Sequence, residues 1–265
     1  MSIESVDVNT KNIVAYWRFD EGSGASSTDI VRGALTAELK DGASFAADGA
    51  VGSCVELQPD GSDRIALPYK VCNGLADFAL VVWVKIDDIN TSSYHTLISG
   101  ANSGEDDAIL FRIRRTAADE AREVCCCING SEITFSTPNL ADGNWHQLVW
   151  VRTGDQSTLY VDGNLIGTQT HVSDTITTDS TGGLLIGENQ DKTGGGLTDS
   201  LDGWVDEVCV MEAPLSQHEV EAMYKNTSCL VLDIHVRNTG GTTLKISDSY
   251  LEAVNVFEHL TRSKM

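Results

Sequence analysis

Four prolines, 18 basic residues against 39 acidic ones, and aromatic residues at 6% are what this 265-residue chain has least of. The shortage of lysine and arginine leaves a formal net charge of −21, which repels a phosphate backbone wherever salt does not screen it and excludes nucleic acid as a partner. No apolar run approaches the ~20 residues needed to cross a bilayer, so no membrane insertion is expected. The opening residues, MSIESVDVNTKN, lack the basic region and apolar run of a secretory signal. The expectation is synthesis without Sec export, as for a cytosolic or virion protein, or a chain whose signal has been removed. No G-x-S-x-G, H-E-x-x-H or phosphate-loop motif occurs, and no repeat of about 20–50 residues is visible.

What is abundant points to strands. Glycine reaches 24 residues, and many Thr, Ser, Val and Asp residues form short runs bounded by turn chemistry. The run FALVVWVKID (78–87) is apolar throughout and predicts a strand covered on both faces. CVEL and RIAL flank a Pro59-Asp60-Gly61 turn. HTLISGA, AILFRIRR, EVCCCING and EITFST read as a meander. In DGNWHQLVWVRTGDQSTLYVDGNLIGTQT (142–170), a TGDQ turn and an Asp162-Gly163 hairpin predict three consecutive antiparallel strands. After Pro214, Ser216 and Glu219 form a capping box that opens a short helix with Val220, Met223 and Tyr224 on one side.

Seven cysteines are an odd number, so at least one is unpaired within a monomer. None has the paired spacing of a zinc site, and most read as small buried thiols. In VCCCIN, alternation puts Cys125 and Cys127 on one face and Cys126 on the other. Asn90, Asn129 and Asn226 begin N-glycosylation patterns, which carry meaning only in a secreted chain.

The sequence therefore predicts an all-β antiparallel sandwich with one short C-terminal helix and an appended strand-rich tail. An N-terminal arm would occupy 1–11, the main domain 12–226, and a C-terminal extension 227–265 that could serve assembly into a homo-oligomer through residues 229–265.

The order YWRFDEGSG, VVWVKI, GNWHQLVWVRTGDQSTLYVDGNLIG, LLIGEN and LDGWVDEVCVMEAPLSQHEVEAMY resembles the laminin-G-like, concanavalin A-like lectin/glucanase superfamily, near its pentraxin-like branch. The resemblance covers roughly residues 12–226. It implies a jelly roll of two curved sheets, glycan or protein ligands, and a structural Ca²⁺ held between an acidic residue after the first strand and the aspartate of the D-E-V strand. By position the ligands would be Asp206 with Asp20 or Glu21, completed by backbone carbonyls and waters.

Strand alternation bears on the same aspartate. In GWVDEVCV, strict alternation groups Trp204, Asp206, Val208 and Val210 on one face and Val205, Glu207 and Cys209 on the other. If the valines at 208 and 210 point into the core, Asp206 does too, and a buried carboxylate needs hydrogen bonds, a base or a cation. Capping of neighbouring backbone N–H groups remains the alternative to calcium. Asp202 reads as a turn residue. Glucanases of this fold carry alternate carboxylates on one strand, about 5–5.5 Å apart when retaining. Adjacent Asp206 and Glu207 would face opposite sides, so no enzyme activity is expected.

For carbohydrate, the rim loops offer Asn102, Asp106, Asp107, Asn189, Gln190 and Asp191 as planar polar contacts. Trp17, Trp145, Trp150, Trp204 and Tyr94 are the aromatic candidates, most of them within core patterns. The expected function is a non-catalytic carbohydrate- or cell-surface-binding module. The alternative is a virion structural protein using the jelly roll as scaffold.

Overall fold

The computed structural model describes residues 2–9, 12–58, 62–86, 93–102, 107–117, 120–179, 183–190, 196–228 and 231–237. The chain divides into two compact units. Thr10–Val231 is the larger, and Met1–Asn9 with Leu232–Met265 forms the other.

Within these residues the strands run β1 (Ser2–Asn9), β2 (Ile13–Trp17), β3 (Ser26–Thr28), β4 (Thr36–Lys40), β5 (Ser44–Ala46), β6 (Cys54–Leu57) and β7 (Arg64–Leu67). The middle of the chain supplies β8 (Phe78–Ile86), β9 (Tyr94–Ala101), β10 (Asp107–Ala117), β11 (Glu120–Ile128), β12 (Ser131–Ser136), β13 (His146–Thr153), β14 (Gln156–Val161) and β15 (Asn164–Thr170). Then come β16 (Leu184–Ile186), β17 (Asn189–Gln190), β18 (Leu197–Thr198), β19 (Gly203–Met211), helix α1 (Gln217–Asn226) and β20 (Val231–Arg237).

Two eight-stranded antiparallel sheets make the larger unit. The first has the order β15-β14-β13-β8-β19-β6-β5, with β2 also paired to β19; the second has β12-β11-β10-β9-β16-β7-β4-β3. The apolar run of β8 sits centrally in the first sheet, between β13 and β19, which explains why it lacks a polar face. Its alternate residues Phe78, Leu80, Val82 and Val84 join Trp17, Phe111 and Trp150 in the core between the sheets. Phe78 meets Trp150 edge-on, with centroids 5.1 Å apart.

The other face of the first sheet is also covered. Val220 and Met223 of α1 pack with Ala79, Val81, Val149, Cys209 and Met211. Ser216 caps the helix, with the Glu219 carboxylate returning the bond in a full capping box. Both hairpin turns form as the sequence predicts. Asp162 and Gly163 both take positive φ, 51° and 74°, and Gly154 takes φ 59°, matching the twist a two-residue hairpin requires. The thiols at 54, 72, 125, 126, 127 and 209 are buried and unpaired, with Cys126 alone of its run in the inter-sheet core.

The arm expected at 1–11 contains a strand: β1 pairs with β20 in a two-stranded sheet. The Pro59-Asp60-Gly61 turn and the tail beyond 237 lie outside the described residues. Among the described residues, no helix is long and apolar enough to cross a membrane.

Candidate metal and binding site

The candidate site lies where the first sheet forks. One edge of β19 pairs with β8 along its length. The other edge pairs with β6 through Gly203–Val205 and with β2 through Val208–Met211. The change of partner falls at Asp206 and Glu207.

Strict alternation fails at this fork. Asp206 stands opposite Trp83 and Cys209 opposite Val81, so β19 spends one extra residue there, and Glu207 takes φ 49°. Such a bulge restarts the alternation. Val205, Val208 and Val210 consequently all enter the inter-sheet core. Trp83 lies between Val82 and Val84, both of that core, so Asp206 opposite it shares the outward face. Glu207 accepts a hydrogen bond from the hydroxyl of Tyr16, a ring of the outer cluster. The expectation of an inward Asp206 with Glu207 on the opposite side is therefore corrected. Both carboxyls occupy the outward side of β19, yet both residues are buried, at 0% and 1% exposure.

Asp206 is held by backbone. Its Oδ2 accepts the Val51 N–H at 3.0 Å and its Oδ1 the Glu207 N–H at 2.8 Å. Burial pushes its pKa up to about 7, against the stabilising N–H groups and with a further push from the Asp20 charge. Asp20 approaches the same turn from the end of β2: its Oδ1 accepts the Ser53 N–H at 3.1 Å, and its Oδ2 pairs with Arg18 Nη2 at 2.9 Å. Two glycines make this convergence feasible. A Cβ on Gly49 would stand 2.4 Å from the Ser53 carbonyl oxygen and 2.7 Å from Asp206 Oδ2, and one on Gly52 2.1 Å from Asp20 Oδ1. Two carboxylates and the Ser53 carbonyl thus border one glycine turn. Among the described residues no cluster of three or more His, Cys, Asp or Glu side chains could hold a metal.

The third expected ligand is not brought here. Glu21 is exposed, and its Oε1 accepts the Thr28 N–H at 3.1 Å. The carboxyl that does join the fork is Glu207, raised to about 9 by burial and approached by Arg18 Nε at 3.3 Å.

The expected rim residues separate. Asn189 and Gln190 are buried, with Ser99 Oγ donating to Asn189 Oδ1 at 2.9 Å and the Gln190 N–H donating to Ser99 Oγ at 3.0 Å. They do not present a rim surface, because the short β17 lies against β9. Asn102 donates to Thr177 Oγ1 at 3.4 Å, and Asp107 opens β10 opposite Ala101. Asp106 and Asp191 lie outside the described residues. Of the aromatics, Trp17 and Trp150 are core. Trp145 and Trp204 are half-buried; Trp145 Nε1 donates to the Asp48 carbonyl at 3.1 Å, and Lys85 Nζ lies 4.9 Å above the Trp204 ring. Tyr94 is covered by the Arg112 guanidinium at 3.9 Å. Lys85 went unnoticed in the sequence because its apolar run signals only a strand.

His146 binds two turns at this end of the sheet. Its Nδ1 meets Asp162 Oδ2 at 2.8 Å and its Nε2 meets Asp142 Oδ1 at 3.0 Å. Burial disfavours the imidazolium, but the hydrogen bonds and charges of Asp162 and Asp142 outweigh it and raise the pKa above its ordinary 6.5. A folded-state pKa above the unfolded one stabilises fully below pH ~6.5 and is lost as pH rises through the folded value. His146→Gln should cost about 1–3 kcal/mol near pH 6 and flatten this alkaline decline. Urea midpoints from pH 6 to 9 check it, and parallel wild-type and variant curves would contradict the imidazolium clamp.

The fold and the matched sequence together define the class. A family model described as the concanavalin A-like lectin/glucanases superfamily matches residues 59–221, more than half of the chain, and the chain belongs to that family. Among curated proteins it is similar to the rat "Sushi, von Willebrand factor type A, EGF and pentraxin domain-containing protein 1" (Rattus norvegicus), 28% identical over 145 residues, covering 53% of this chain and 4% of that protein. The mouse counterpart (Mus musculus) is 30% identical over 100 residues, 36% of this chain and 3% of that protein. The chain thus corresponds to a small fraction of either relative's length.

Solved structures share the fold. Domain 4 of AbnA, a GH43 extracellular arabinanase from Geobacillus stearothermophilus, in complex with arabinotriose, superposes with a TM-score of 0.60 at 15% identity, over 80% of this chain and 98% of that one. The botulinum neurotoxin serotype D binding domain gives 0.57 at 14%, over 81% and 52%. The heptameric SAP-like pentraxin of Limulus polyphemus gives 0.50 at 18%, over 63% and 86%.

Proposed function

We propose that this chain is a non-catalytic module that binds carbohydrate, with a structural Ca²⁺ at the β19 fork. The observation that carries the non-catalytic part is the state of the two adjacent carboxyls. Asp206 and Glu207 share a side, but burial seals both residues, and Glu207, with a pKa of about 9, is neutral near pH 7. A retaining pair needs one ionised nucleophile and one acid flanking an open cleft. Here backbone N–H groups and Tyr16 occupy the positions a substrate would need.

Carbohydrate binding is supported by membership of a lectin-containing family and by the arabinotriose bound to a domain of the same fold and nearly the same extent. The donor chemistry at the fork suits a hard cation. Asp206 has no basic partner among the described residues, and Asp20 and the Ser53 carbonyl border the same turn. Carboxylate and carbonyl oxygens are the donors calcium takes, with waters making up its ~6–8 ligands. The ion would neutralise the buried Asp206 and tie the 47–53 turn to β19.

A glycan array of neutral and anionic saccharides tests the reading. Binding to at least one saccharide class is the expected result, with no release of reducing ends on prolonged incubation. An array at background throughout overturns carbohydrate recognition, and hydrolysis overturns the non-catalytic assignment.

A further inference from the structure

We infer that the outward face of the first sheet, in the row formed by Trp145, Lys85 and Trp204, is a docking surface for a short neutral saccharide chain. The inference rests on the carbohydrate-binding reading and names its site.

The row follows from register. Trp204 pairs with Lys85 on one side and with Glu56 on the other. Trp145 immediately precedes His146, which pairs with Val84, and so comes level with Lys85 on its far flank. Residues directly opposite across antiparallel strands share a face, and Val84 points into the inter-sheet core, so Lys85 and its neighbours point outward. Helix α1 covers this face farther along, over Val81, Val149 and Cys209. Tyr224 extends that cover as far as Trp83, stacked at 5.6 Å. Beyond Trp83 the row is half-buried rather than sealed.

The chemistry fits a sugar. Trp204 on β19 and Trp145 at the entry to β13 stand two strand spacings apart, about 10 Å between backbones, a span suited to two or three linked rings. Each offers a flat apolar surface for the C–H face of a sugar, the role aromatic side chains fill in ligand sites generally. Lys85 lies between them with its ammonium over Trp204. An ammonium on a flexible stem can lift from the ring and donate to hydroxyls.

Acceptors surround the row: exposed Asp48, whose carbonyl fixes Trp145, and Glu56. Charge selects among saccharides. With Asp48 and Glu56 at the rim and a net charge of −21, sulfated and uronic-acid chains are repelled, and neutral ones are not.

The experiment uses the full chain and neutral oligosaccharides of two to five residues, arabinotriose among them, with a sulfated glycosaminoglycan in parallel. Isothermal titration of Trp204→Ala and Trp145→Ala should show affinity weakened about tenfold each, with Trp204→Phe largely restoring it and Tyr94→Ala, on the second sheet, leaving it unchanged. Indole Nε1–H NMR signals of the wild type supply a readout that needs no variant: those of Trp204 and Trp145 should shift on titration while those of Trp17 and Trp150 stay in place. If the wild type binds a neutral saccharide but neither the variants nor these signals respond, the site is wrong and the carbohydrate-binding function stands. Binding of the sulfated chain alone overturns the neutral class, and a wild type that binds no saccharide overturns both.

Discussion

Arg152→Met should lower the melting temperature by roughly 10 °C. Arg152 sits on β13 with 0% exposure, and its guanidinium is spent on backbone. Nη1 donates to the Asp174 carbonyl at 2.6 Å, Nη2 to the Val172 carbonyl at 2.6 Å, and Nε to the Gly154 carbonyl at 3.2 Å. One side chain thereby holds the β13–β14 turn and the segment after β15 together. Burial lowers its pKa, opposed by the charges of Asp77 and Asp174, but an arginine stays protonated. Methionine fills much of the volume and leaves three carbonyls without a donor, each worth about 1–3 kcal/mol when buried. Allowing for partial rehydration, a total of about 3–5 kcal/mol corresponds, at about 2–4 °C per kcal/mol for a domain of this size, to the stated drop. Arg152→Lys should recover only part of it, since an ammonium cannot reproduce the planar fork. A shift below about 3 °C in differential scanning calorimetry would show that water replaces the guanidinium.

EGTA should lower the wild-type melting temperature by roughly 5–10 °C and leave Asp206→Asn unmoved, if the proposed calcium is bound. A cation present at a hundredfold its Kd contributes about 2.7 kcal/mol, which at the same conversion gives this range. The variant separates metal from cap. Its side-chain amide would keep an oxygen to accept the Val51 N–H that Asp206 now accepts but would lose the Glu207 N–H that the second carboxyl oxygen accepts. Asp206→Asn should therefore melt at or somewhat below EGTA-treated wild type, because one backbone N–H loses its acceptor, and it is the absence of any response to EGTA that marks the lost metal. If EGTA changes neither protein, Asp206 serves only as a backbone cap and the calcium assignment fails.

The comparison of β19 with β8 shows what local sequence can and cannot reveal. FALVVWVKI is legible as a central strand because continuous apolarity reports burial on both faces, a property of the strand itself. GWVDEVCVM is legible as a strand too. Its faces are not, because the extra residue at Glu207 answers to a change of partner from β6 to β2, and those partners lie about 150 and 190 residues away along the chain. The same limit governs the rim. Asn189 and Gln190 look like loop amides until Ser99, on a strand far back in the sequence, turns them inward. Arg152 reads as an ordinary polar residue at the end of HQLVWVR, since nothing local says that residues 172–174 return to meet it.

Asp206 and Asp20 are the instructive case of the candidate site. The family resemblance pairs them as metal ligands; that both border one turn is visible only in the structure, and in the sequence that turn shows only as the glycines at 49 and 52. The sequence on its own was enough for the long central strands, the hairpin turns after β13 and β14, the capped helix, the buried thiols and the family, because each rests on periodicity, turn chemistry or motifs within a short stretch, whereas the short β3, β4 and β5 and the strand in the N-terminal arm were not read from it. The tertiary structure alone decided which way the acids of β19 face, which amides are buried, and which tryptophans stay at the surface. Those outcomes depend on the register between strands distant in sequence, and one added residue in a pairing is enough to reverse them.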